Sequence, residues 1–124
     1  MSAGADVNTQ RNDGVSALGF ASQEGHFDTV NMLLEYGAQV ETRDIEGRTP
    51  LWDAAANGRT DVVRALVSAG ADVNTQSNYG SSALDFASYK GHIDTVSMLL
   101  EYGAKVETRD SEGRTPLWLS LIHI

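Results

Sequence analysis

Small and apolar positions return along the chain with a period of 33 residues. Gly-Ala stands at Gly4-Ala5, Gly37-Ala38, Gly70-Ala71 and Gly103-Ala104, and Val7, Val40, Val73 and Val106 follow in step. Leu18, Leu51, Leu84 and Leu117 keep the register, as do Val30, Val63 and Val96, then Leu33, Leu66 and Leu99. A fixed period of this length marks a repeat architecture, to be read before any short motif. It divides the chain into the tail of a preceding unit at 1–3, full units at 4–36, 37–69 and 70–102, a partial unit at 103–118 and a non-repeating tail at 119–124.

Within a unit the pattern predicts two short helices and a turn. In the second unit Thr49 offers a capping hydroxyl and Pro50 takes the first helical position, where a missing N–H costs nothing. Leu51, Ala54 and Ala55 give that helix a narrow stripe of small apolar groups, and Gly58 ends it. Asp61 is expected to cap a second helix with Val62, Val63, Leu66 and Val67 on its buried face, and Asp28 and Asp94 repeat that cap. Residues 70–74 then lead into an extended stretch whose turn has Gly80 at its tip. Helices of about 7–10 residues do not persist alone in water, so stability must come from stacking on neighbours.

The run Asp44 to Leu51, with Ala54-Ala55, Gly58, Asp61-Val62-Val63, Leu66-Val67 and Gly70-Ala71-Asp72-Val73-Asn74, resembles the ankyrin repeat. The resemblance extends over residues 2–118. It implies an all-α solenoid of helix–turn–helix units joined by short β-hairpin-like turns, and a role in protein–protein recognition. The family's Thr-Pro-Leu-His histidine is missing here: Trp52 and Trp118 replace it in even units, Gly19 and Asp85 in odd ones. The odd units also lack the proline, reading Ser16-Ala17-Leu18 and Ser82-Ala83-Leu84, and are expected to be the less stable ones.

A second period lies over the first. The first and third units agree at 25 of 33 positions, the first and second at only 11. The duplicated block is therefore a pair of units. Residues 119–124 have no counterpart in 53–58, and they resemble a translated library-preparation adapter. They are expected not to be natural sequence, and the chain is expected to be a fragment of a longer array.

Composition narrows the function. The net charge of −8 lacks the Lys/Arg excess that nucleic acid or an anionic membrane would need, and leaves basic protein surfaces as partners. With no cysteine there is no disulfide, thiolate metal site or Cys nucleophile. No apolar run is long enough to span a bilayer and no secretory leader is seen, so a cytoplasmic or nuclear, monomeric protein is expected.

Candidate chemistry is sparse. His26 and His92 follow helix-ending glycines and read as a repeat feature that suits the dipole of a helix C-terminus. Asp28, Asp61 and Asp94 are taken up as caps, Glu41 and Glu107 lie on turns, and Ser22 and Ser88 sit on helices without a nucleophile elbow. Gly25, Gly58 and Gly91 are helix stops rather than a phosphate loop. Neither an enzyme nor a cofactor or metal site is expected.

Differences between the near-identical odd units are more informative. The eight pairs are Arg11/Ser77, Asp13/Tyr79, Val15/Ser81, Gly19/Asp85, Gln23/Tyr89, Glu24/Lys90, Phe27/Ile93 and Asn31/Ser97. In the family, contacts come from turn tips and the end of the first helix, which correspond here to Asn78, Tyr79, Ser81, Tyr89 and Lys90. Four of the eight differences fall on those five positions. The predicted contact set is Asp13, Gln23, Glu24, Ile45, Arg48, Trp52, Asn78, Tyr79, Tyr89 and Lys90, with Trp52 open to a second reading as packing between units. Tyrosine supplies rigid area and a hydroxyl at low entropic cost. The resemblance further implies that Asn74, eight residues after Leu66 and within Asp72-Val73-Asn74, is a candidate for asparaginyl hydroxylation. The array could also serve as the targeting or sensing part of a larger signalling protein or enzyme, or as a membrane-skeleton adaptor.

Overall fold

The computed structural model describes residues 6–106. Six helices follow in order: α1 (Ala17–Glu24), α2 (Phe27–Glu35), α3 (Pro50–Ala56), α4 (Thr60–Ser68), α5 (Ala83–Lys90) and α6 (Ile93–Glu101). They form three antiparallel pairs, α1 with α2, α3 with α4 and α5 with α6, stacked in one row. The first helices pack closely on one another and the second helices more loosely.

The first helices start as the sequence predicts. Thr49 Oγ1 accepts from the Trp52 amide at 3.3 Å, with Pro50 directly behind the cap. Serine does the same elsewhere: Ser16 Oγ accepts from the Gly19 amide at 3.1 Å, and Ser82 Oγ from the Asp85 amide at 3.2 Å. Asp85 completes a capping box by accepting from the Ser82 amide at 3.0 Å.

The second helices start differently. Their N-cap positions are His26, Arg59 and His92, and none of these makes a side-chain cap. Asp28, Asp61 and Asp94 lie two residues further in, within the first turn, where a carboxylate favours the positive end of the helix dipole, so the predicted aspartate caps are corrected to first-turn residues. Asp61 still takes up one orphan amide, that of Val62, at 2.8 Å.

The would-be cap side chains reach backwards instead. Arg59 Nε donates to the Gln23 carbonyl at 3.3 Å, and His92 Nε2 lies 3.2 Å from the Ala56 carbonyl at the end of α3. The helix end that His92 meets thus belongs to the preceding repeat, not to its own. Gly58 makes room for this contact: a Cβ there would collide with the imidazole, and its φ of +69° favours glycine.

Each turn is a short hairpin, closed by Arg11 N to Val15 O at 2.9 Å, Asp44 N to Arg48 O at 3.0 Å and Ser77 N to Ser81 O at 2.8 Å. Adjacent hairpins bond to each other. Ile45 N donates to Asp13 O at 3.0 Å, Asn78 N to Glu46 O at 2.8 Å, and Asn78 Nδ2 to Ile45 O at 2.9 Å. One row deeper, Gln10 Nε2 donates to Arg43 O at 3.1 Å and Arg43 Nη1 to Gln76 O at 3.0 Å, each across 33 residues.

The core is a continuous seam through the pairs. Leu18, Val30, Leu51, Ala54, Ala55, Val62, Val63, Leu66, Ala87 and Leu99 are buried in it. The partial repeat beyond 106, residues 119–124 and the unit tail at 1–3 lie outside the described residues.

Candidate functional site

The bonded hairpin tips bring Asp13, Ile45, Asn78 and Tyr79 into one row. Ile45 is 68% and Tyr79 76% exposed, although both are large side chains with an apolar body. Arg48 stands behind Ile45, its Nε bonded to Asp44 Oδ2 at 2.9 Å and 3.6 Å from Glu46 Oε2. Burial opposes the guanidinium charge, but Asp44, with Asp53 and Glu46 behind it, outweighs burial and raises the Arg48 pKa. In the first hairpin Arg11 bonds Asp13 at 2.6 Å, which holds the Asp13 carboxyl below its usual range. That pair is solvent-exposed and adds little to stability.

From Arg48 an aromatic run leads across the first-helix face. The Arg48 guanidinium carbon lies 5.8 Å from the centroid of the Trp52 ring. Trp52 and Phe86 have centroids 4.7 Å apart, and Phe86 meets Tyr89 edge-on at 5.7 Å. Trp52 itself is only 8% exposed, and its indole N–H donates to the Ser81 carbonyl at 2.9 Å. Its reading as an exposed contact is therefore corrected: it packs between repeats, and it sets the floor on which Phe86 and Tyr89 rest. Lys90 follows Tyr89 and is exposed, while Gln23 and Glu24 stand exposed at the end of α1, two repeats away.

Two residues on this face escaped sequence reasoning. Phe86 is half-buried within the aromatic run, and Asp53 lies in the same row, where the flanking repeats have Phe20 and Phe86. The available signal was that alternation of Phe, Asp and Phe in one register. Asp53 is buried, and burial pushes its carboxyl up to about 7, with Arg48 pulling it down and Asp44 pushing it further up.

Asn74 is half-buried at the foot of the third hairpin. Its Oδ1 accepts from the Lys105 amide at 2.8 Å and its Nδ2 donates to the Gly103 carbonyl at 3.3 Å. Asn8 makes the same pair of bonds one block earlier, to the Gln39 amide at 2.8 Å and the Gly37 carbonyl at 3.4 Å. In the middle repeat the Glu41 carboxylate accepts from the Asp72 amide at 2.8 Å. This position thus ties each hairpin to the next. Among the described residues no three His, Cys, Asp or Glu side chains gather as metal ligands would, and no helix is long and apolar enough to cross a membrane.

Helix pairs stacked through bonded hairpins, with an open face of tips and first helices, define a repeat solenoid of the interaction-module class. The family model described as Ankyrin repeats (3 copies) matches residues 1–77 and 41–110. The chain belongs to the ankyrin-repeat family. Comparison with curated proteins returns no match.

Proposed function

We propose that the chain binds a partner protein through the concave face made by its hairpin tips and first helices. Ankyrin repeats are in general protein–protein interaction modules. The observation that carries the finer reading is the run Arg48, Trp52, Phe86 and Tyr89, bordered by the exposed Ile45 and Tyr79. Large amphipathic rings on a rigid floor are what binding anchors require: area to desolvate, and little side-chain freedom left to lose. Asp13, Gln23, Glu24, Asn78 and Lys90 form the polar surround. The net charge of −8 speeds association with a basic surface and makes it salt-sensitive.

The test is an affinity comparison in pull-downs from cells of the source organism. Tyr79→Ala/Tyr89→Ala is expected to weaken capture of a specific partner by about 10-fold or more. Equal capture by the double variant would remove this face from the account. Asn74 is in addition assigned as a substrate for side-chain hydroxylation. Peptide mass spectrometry of native protein would then find one added oxygen on that residue.

A further inference from the structure

Asp53 is 7% exposed. Its backbone is engaged, the amide with Thr49 O at 3.0 Å and the carbonyl with Asn57 Nδ2 at 2.8 Å. Among the described residues its carboxylate has no hydrogen-bond partner. A buried unpaired carboxylate is costly, and a fold normally supplies it with donors. The hydroxyls of Ser22, Ser81 and Thr95 are also unpaired but sealed off, whereas the Asp53 carboxylate is not among those sealed atoms. Its row borders the groove: Phe20, in the same register of the first repeat, is 45% exposed.

Across from it, in α1, stands Gly19. A methyl group on Gly19 would lie 3.9 Å from Asp53 Oδ2, 3.5 Å from Ser16 Oγ and 3.6 Å from Val15 Cγ1, all of them ordinary contacts. The residue is helical, so neither crowding nor backbone conformation asks for glycine there. Glycine inside a helix is destabilising relative to alanine. The third repeat, otherwise a near-copy, fills this position with Asp85 and closes it in a capping box. An unpaired carboxylate and an unrequired glycine thus face each other.

We propose that the Asp53 carboxylate, beside the space that Gly19 leaves unfilled, forms a receptor for one cationic side chain, lysine or arginine, of a bound protein. The proposal rests on the protein-binding reading and names the chemistry that one part of the face selects. The charged groups acting on Asp53 are Arg48 and Asp44. Arg48 is already held by Asp44 and Glu46, so three carboxylates stand against one guanidinium and the field favours a cation. Because Asp53 titrates near neutrality, an arriving cation draws the ionised form. Binding then releases a proton and strengthens as pH rises.

The test titrates the whole chain with butylammonium and butylguanidinium, with butanol as the neutral control, and follows the Gly19 and Asp53 amides by NMR. Saturable shifts are expected with the cations only, stronger at about pH 8 than at about pH 6. Asp53→Asn is expected to weaken binding by about 10-fold or more. Gly19→Ala is expected to weaken it too while raising the melting temperature. Shifts unchanged in Asp53→Asn, no saturation at Gly19, or a lower melting temperature for Gly19→Ala would each overturn the proposal. These outcomes leave the Tyr79/Tyr89 comparison intact, so failure of the receptor and failure of the binding face are told apart.

Discussion

Single residues decide how this face differs from repeat to repeat. Asp53 replaces a phenylalanine with a buried carboxyl whose pKa is about 7, far above the ordinary carboxylate value. The folded chain therefore holds a proton that the unfolded chain releases between about pH 4 and about pH 7, and stability falls as pH rises through that window. A gap of about three units bounds the effect at about 4 kcal/mol, and residual solvent contact reduces it. Asp53→Asn is expected to stabilise the protein by about 1–3 kcal/mol at about pH 8 and to flatten the pH dependence, as read by urea denaturation at two pH values. A less stable variant at the higher pH would mean that the carboxylate is paired in solution. Trp52 teaches a related lesson. Its type and register were plain in the sequence, but whether it faces solvent or the next repeat depends on the stacking distance, which the Ser81 carbonyl reveals.

Helices and hairpins show how far local sequence signals reach. The first-helix cap at Thr49, Pro50 at the helix start and the glycine stops were legible because each acts within a few residues, and Ser16 and Ser82 take the same cap position where the sequence reading had named none. The second-helix starts were misread. Aspartate beside a helix start suggests a cap, but here the N-cap side chain reaches across 36 residues to a neighbouring helix end, as Arg59 and His92 do. Such contacts are set by repeat-to-repeat geometry and leave no trace in local propensity. The Asn74 bridge is of the same kind: its two bonds reach 29 and 31 residues onward. Asn74→Ala is expected to lower stability by about 1–2 kcal/mol and to speed amide exchange at Gly103 to Lys105 most. Uniform loss of protection along the chain would show that the bridge is not local.

Across the whole molecule, no helix pair has a core of its own. The buried seam and the hairpin ladder both run through all three pairs, so each repeat is held by its neighbours. This architecture was legible from the 33-residue period, since amphipathic helices this short have no other way to bury their apolar stripes. The aromatic run on the first-helix side was legible in part. Divergence between near-copies pointed to Tyr79, Tyr89 and Lys90, and of these Tyr89 meets Phe86 in the run that Trp52 anchors. Phe86 and Asp53 were not found, because identical residues in near-copies carry no difference signal and because a buried carboxylate cannot be told from an exposed one by sequence alone.

In the proposed binding mode, partners dock on the hairpin tips and first helices. Hydrogen–deuterium exchange of the chain, free and bound to a captured partner, tests it most directly. New protection is expected at residues 44–48 and 77–81 and along α3 and α5. Protection confined to α2, α4 and α6, with the tips exchanging as in the free chain, would contradict it.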